Sequence, residues 1–162
     1  MLTAGNQQER LDPQWVTGFV DGEGCFHISI NKQEEMSTGW QVLPEFRIVQ
    51  HARDEALLKE LQRFFEAGKV VVNHDSRKEL RIRRLDELKK VTAFFENHPL
   101  KTRKRRDFEI FKEVLRLMEY HKHLTQEGLE RIANLCWQMN RKVKPRYLES
   151  SETLRRKSQI SD

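Results

Sequence analysis

Trp15-Val16-Thr17-Gly18-Phe19-Val20-Asp21-Gly22-Glu23-Gly24 is the stretch on which the reading of this chain turns. It reads as an apolar helix that stops abruptly and presents one carboxylate, Glu23, between two glycines. Asp12-Pro13 just upstream is a helix start: Asp can cap the first free N–H groups, and Pro in the first turn loses no N–H the helix needs. Asp21-Gly22 is expected to end the helix, because glycine readily takes the left-handed conformation common at C-termini. After Gly24 the period changes from helical to alternating. Phe26, Ile28 and Ile30 fall on one side and His27, Ser29 and Asn31 on the other, which predicts a strand with one apolar and one polar face.

Outward from this stretch, the pattern predicts α-β-β-α-β-β-α-α-α. The first helix spans about 13–21 and the first strand 25–32. A second strand follows over about 41–50, with Phe46 and Ile48 inward and Glu45 and Arg47 outward. Residues 53–67 are helical and stop at Gly68. Strands over 69–73 and 79–84 flank a turn at His74-Asp75-Ser76-Arg77, with Leu80 and Ile82 inward and Arg81 and Arg83 outward. Helices are predicted over 86–97, 103–121 and 125–140. The expected organisation is a flexible N-terminus (1–11), one α/β (α+β) domain (12–143) and a basic flexible tail (144–162).

The chain has 162 residues, of which 34% are charged, and a formal net charge of +5. The charge is lopsided: residues 1–100 carry a net −2 and residues 101–162 a net +7, with Lys101, Arg103, Lys104, Arg105 and Arg106 clustered. A polyanion is the natural partner, since neutralising phosphates releases counterions and drives binding. No apolar run approaches membrane-spanning length, and neither a signal peptide nor an Arg-rich transit pattern is read at the N-terminus. Cys25 and Cys136 lack metal-type spacing and fit a thiol-reducing compartment. No nucleotide-binding glycine loop and no Gly-x-Ser-x-Gly nucleophile is present.

If the four strands pair in one sheet, alternation gathers His27, Ser29, Asn31, Glu45, Arg47, Lys69, Asn73, Arg81 and Arg83 on one face. Such donors and acceptors suit base edges in a major groove. The same residues would also serve an ordinary solvated sheet.

Val16 to Gly24, V-T-G-F-V-D-G-E-G, resembles the signature of the LAGLIDADG homing endonucleases. The resemblance extends to Trp15 and Cys25-Phe26. Fainter similarities follow in order at Gln50, at Pro99-Leu100-Lys101-Thr102-Arg103-Lys104, and at His123 to Leu129. It implies an αββαββα core with a four-stranded antiparallel, saddle-shaped sheet seated on double-stranded DNA. It implies Mg²⁺-dependent hydrolysis at a long, roughly palindromic site, with no small-molecule cofactor and no membrane partner. Aligned on the signature, Glu23 falls at the metal-ligand position with the Gly22 carbonyl beside it, and Asp21 shapes the helix end. Gln50 takes the place of a residue that orients solvent near the scissile phosphate. The basic residue expected soon after it meets Asp54, with Arg53 one position early. The cation expected before the long helix matches Arg103 best, with Lys101 and Lys104 close by, and Lys104 is counted among the DNA contacts.

A single signature serves one strand of a duplex, so the resemblance also implies a homodimer, with Trp15, Gly18, Phe19 and Asp21 at the interface. Such enzymes are usually intron-encoded, which implies an organelle or a prokaryotic cytoplasm as the compartment. Two other activities suit the same resemblance: an RNA-binding intron maturase, and a DNA-binding regulator that no longer cuts.

Overall fold

The computed structural model describes residues 10–139 and 144–149. The first helix, α1 (Pro13–Glu23), starts as its sequence dictates: the Asp12 carboxylate accepts the amides of Gln14 and Trp15 at 2.8 and 3.1 Å. Its end differs from expectation. Neither Gly22 nor Gly24 is left-handed; the helix runs on through Glu23, and Gly24 enters the first strand directly with φ −77° and ψ 156°. What requires glycine at 24 is space, since a Cβ there would lie 2.6 Å from Cγ1 of Val20.

Strands β1 (Gly24–Lys32), β2 (Trp40–His51), β3 (Lys69–His74) and β4 (Arg77–Ile82) form one antiparallel sheet in the order β1-β2-β4-β3. The register sets Phe46 opposite both Phe26 and Ile82, and Ile48 opposite Leu80. Because side chains alternate, these buried residues share the inner face. That face is covered by α2 (Glu55–Phe65), α3 (Leu85–Asn97), α4 (Lys104–Glu119) and α5 (Gln126–Met139), whose buried stripes include Leu58, Leu61, Leu88, Val91, Phe108, Phe111, Leu129 and Ile132. Phe26 is central, with ring centroids of Phe46, Phe95, Phe108 and Phe111 at 5.0 to 5.8 Å. Each buried ring of this kind contributes roughly 1.5–3 kcal/mol through its transfer from water.

The turn into α2 is tighter than its periodicity suggests. Residues Ala52–Asp54 form a 3-10 turn, and α2 closes on a left-handed Glu66 (φ 50°) followed by Gly68 (φ 80°). A second 3-10 turn, Lys122–Leu124, packs so closely on the start of α5 that a Cβ on Gly128 would sit 1.9 Å from the Lys122 carbonyl oxygen.

Described structure continues past the expected boundary at 143/144. Residues 146–149 form a helical turn, Tyr147 and Leu148 are buried against the core, and the Tyr147 ring meets Trp40 edge-on at 5.7 Å. The segment is held further by the Gln126 amide, which donates to the Tyr147 hydroxyl at 3.2 Å, and by Lys144 over the Trp137 ring at 5.1 Å. Most of the expected N-terminal arm (1–9) and the rest of the expected tail (150–162) lie outside the described residues.

Candidate functional site

The end of α1 is tied to the segment before α4 by a set of directional bonds. Asp21 accepts the Lys101 amide at 2.8 Å, the Thr102 amide at 3.1 Å and the Thr102 hydroxyl at 2.8 Å. The Lys104 ammonium donates to the carbonyls of Val20 (2.9 Å), which also accepts the Gly24 amide, and of Asp21 (3.0 Å), both in the last helical turn. A cation there also meets the negative end of the helix dipole. Partial burial pushes the Asp21 carboxyl up, but the Lys101 amide, the Thr102 hydroxyl and amide and the Lys104 charge outweigh it and hold the group below its ordinary value.

These bonds settle where several expected residues lie. Asp21 was expected both to shape the helix end and to sit at a dimer interface; its carboxylate is committed to residues 101 and 102 of its own chain. Lys104 was expected to contact DNA; its ammonium caps α1. Lys101 and Arg103 remain exposed on the segment that Asp21 grips. Thr102, which sequence reasoning passed over, is the residue that makes the grip two-pronged.

Glu23 is the last residue of α1 and is exposed. The Gln50 amide donates to its Oε2 at 3.3 Å, so the two residues that the sequence placed 27 positions apart meet where α1 enters β1. Arg53 and Asp54 lie in the 3-10 turn beyond β2, paired with each other at 4.0 Å.

On the outer face of the sheet, pairing brings His27 opposite Glu45, Asn31 opposite Gln41, Arg47 opposite Arg81, and Lys69 opposite Arg81 from the other side. The face is less polar than expected: Leu43, Val49 and Val71 share it and are half-buried. Glu45 is not an exposed contact but is buried beneath guanidinium groups, with Arg83 Nε at 2.6 Å, Arg47 Nη1 at 3.6 Å and Arg81 Nε at 3.9 Å. Glu79 was missed. It is fully buried between Val49 and Val71, pairs with Arg81, and accepts the Asn73 amide at 2.8 Å. Its position two residues before Arg81 gave the signal, since strand neighbours at that spacing share a face. Burial pushes the His27 imidazole below its ordinary value, with Arg47 adding to the effect and Glu45 opposing it.

Chemically, the chain offers an exposed acid held beside an amide at the end of a helix, and an open strand face bearing arginine, lysine, asparagine and histidine. Residues 16–115 match the model of a family described as LAGLIDADG endonuclease. A solved homing endonuclease, I-TnaI, is 55% identical with a TM-score of 0.80, over 82% of this chain and 90% of that one. I-SmaMI, solved on an uncleaved DNA target with calcium ions, is 37% identical with a TM-score of 0.80, over 81% of this chain and 45% of that one. A probable intron-encoded endonuclease of Neurospora crassa is 33% identical over 83% of this chain. The chain spans between about a quarter and just under half of the length of the curated relatives it matches, from 26% to 45%.

Proposed function

The chain belongs to the LAGLIDADG endonuclease family, and from that membership we propose that it is a site-specific DNA endonuclease that works as a homodimer. The observation that carries the proposal is Glu23, exposed at the end of the signature helix with Gln50 bonded to it at 3.3 Å. The outer face of the sheet is the surface proposed to bind the duplex.

The residues at the helix end suit Mg²⁺. Among the described residues no three His, Cys, Asp or Glu side chains converge on a metal position, so one chain offers a partial shell: the Glu23 carboxylate and the Gly22 carbonyl. Mg²⁺ commonly takes few protein ligands and keeps several waters beside phosphate oxygens. The ion would supply charge stabilisation on the phosphate and acidify a water. The chain's own contribution is positional. Gln50 fixes the Glu23 carboxylate and orients solvent. Lys104 and the Asp21–Thr102 grip hold the helix end rigid and deliver Lys101 and Arg103 as cations for the developing negative charge.

The homodimer is supported by the face of α1 turned away from the core. Trp15, Gly18, Phe19 and Gly22 recur at helical spacing. Trp15 is 43% exposed and stacks on Phe19 at 5.0 Å. A Cβ on Gly18 or Gly22 would meet nothing within 4 Å, which leaves the helix backbone open to close approach by a second helix. The chain also matches nearly all of I-TnaI but less than half of the I-SmaMI chain, the proportion expected of one half of a two-half enzyme. Two such halves would set two Glu23 sites on opposite strands and favour a roughly palindromic target. The free thiols Cys25 and Cys136 suit a reducing, DNA-containing compartment.

A deep plasmid library with randomised inserts, incubated with the protein and Mg²⁺, tests this reading. Linearisation of a subset that shares a near-symmetric site is the expected result. Intact DNA binding without any linearisation would contradict it.

A further inference from the structure

The outer face carries two glutamates, and neither is free to meet a ligand. Glu79 is 0% exposed and Glu45 7%. Burying a carboxylate is costly unless it is paired and hydrogen-bonded. Both are: three arginines and one asparagine converge on the two acids, in the order Asn73–Glu79–Arg81–Glu45, with Arg83 and Arg47 closing the far end.

The side of each guanidinium that is engaged matters. Glu79 takes Nε and Nη2 of Arg81, and Glu45 takes Nε of Arg83. No acceptor among the described residues holds Nη1 of Arg81 or either Nη of Arg83. Arg81, in β4, and Arg83, one residue past its end, are thus each held by part of the guanidinium while the side chains stay 33% and 55% exposed. An arginine held in this way loses less rotamer entropy when it binds, and its fork has a fixed direction. Guanine offers the matching pair of acceptors, N7 and O6, in the major groove.

We propose that Glu79 and Glu45 are positioning residues for base readout: they aim Arg81 and Arg83 at guanines of the target, and they weaken sequence-independent attraction by partly neutralising the face. This rests on the reading of the sheet face as the DNA-binding surface. The two effects separate the acids from ordinary structural residues. Removing one negative charge beneath the face strengthens binding to arbitrary DNA, while losing the clamp blurs the reading of particular bases.

The test uses full-length protein and a library of random-sequence duplexes, selected for binding in Ca²⁺, with Glu79→Gln and Arg81→Lys carried beside wild type. Glutamine keeps an acceptor for Asn73 and removes the charge; lysine keeps the charge and removes the fork. Expected is a guanine-containing site for wild type, with both variants relaxing the same positions by roughly ten-fold and leaving the others sharp. Glu79→Gln should also bind one fixed random-sequence duplex more tightly than wild type, at a given salt concentration. If Glu79→Gln will not fold, Glu45→Gln paired with Arg83→Lys makes the same comparison. An unchanged site in the glutamine variant, or a blur spread evenly over all positions, overturns the proposal and leaves the endonuclease reading standing. No shared site from wild type itself overturns both.

Discussion

The Thr102 hydroxyl and amide both donate to Oδ1 of Asp21, at 2.8 and 3.1 Å, so a side chain at the end of α1 fixes the segment that leads into α4. The two residues are 81 positions apart. Between them they set where Lys101 and Arg103 stand relative to Glu23, two residues beyond Asp21.

Asp21→Asn should therefore weaken both folding and cleavage. Bonds to a charged acceptor are the stronger kind, and after discounting for partial exposure the loss of stability should be about 1–2 kcal/mol near neutral pH. Because the folded-state value lies below the ordinary 3.8, the contribution is present above that pH and fades as pH falls through the depressed folded value. Chemical denaturation of wild type and Asp21→Asn across pH should show the two curves converging in acid. A constant gap down to the lowest pH would rule out this account of Asp21.

Gly128→Ala should be among the most damaging small substitutions in the chain. A methyl group 1.9 Å from the Lys122 oxygen forces the 3-10 turn away from α5. A cost of about 2–4 kcal/mol is expected from strain of this kind, read as a lowered urea midpoint. The turn also accepts a bond from Ser37 to the Leu124 carbonyl at 3.1 Å, so the loop between β1 and β2 should loosen with it.

The two thiols should behave differently. Cys136 is 8% exposed, and burial pushes its thiol up to about 12. Alkylation followed by peptide mass mapping should modify Cys25 first and spare Cys136 until the protein unfolds. Equal labelling of both in native conditions would show that α5 opens readily.

Replacing Trp15 by Glu should leave the fold intact and disrupt association. The ring is 43% exposed in the single chain, so little core packing depends on it. Sedimentation should find wild type at twice the 19.4 kDa chain mass and the variant at once. Wild type sedimenting at the single-chain mass, with cleavage retained, would contradict the homodimer.

Much of this architecture is legible in the sequence. The strand inner faces read correctly because alternation is strict: Phe26 and Ile28, Phe46 and Ile48, Leu80 and Ile82 all lie in the core. The α1 start was equally plain from Asp12-Pro13. The end of α1 was not, because the need for glycine at 24 comes from a clash with Val20 in three dimensions and not from backbone handedness. Glu23 and Gln50 acquire their expected site roles only through the family resemblance, and nothing local in the sequence signals the bond between them. Lys104, Thr102 and Glu79 show the limit most clearly. Each looks like a surface polar residue in one dimension, and each acquires its role from a partner brought to it by tertiary folding or strand pairing.

In the proposed homodimer each Glu23 serves one DNA strand. The most direct test takes the site recovered from the plasmid library and compares wild type, Glu23→Gln, and a mixed dimer purified with two different tags. Double-strand breaks are expected from wild type, binding without cutting from Glu23→Gln, and nicked circles from the mixed dimer. Double-strand cleavage by Glu23→Gln at the wild-type rate would contradict this role of Glu23.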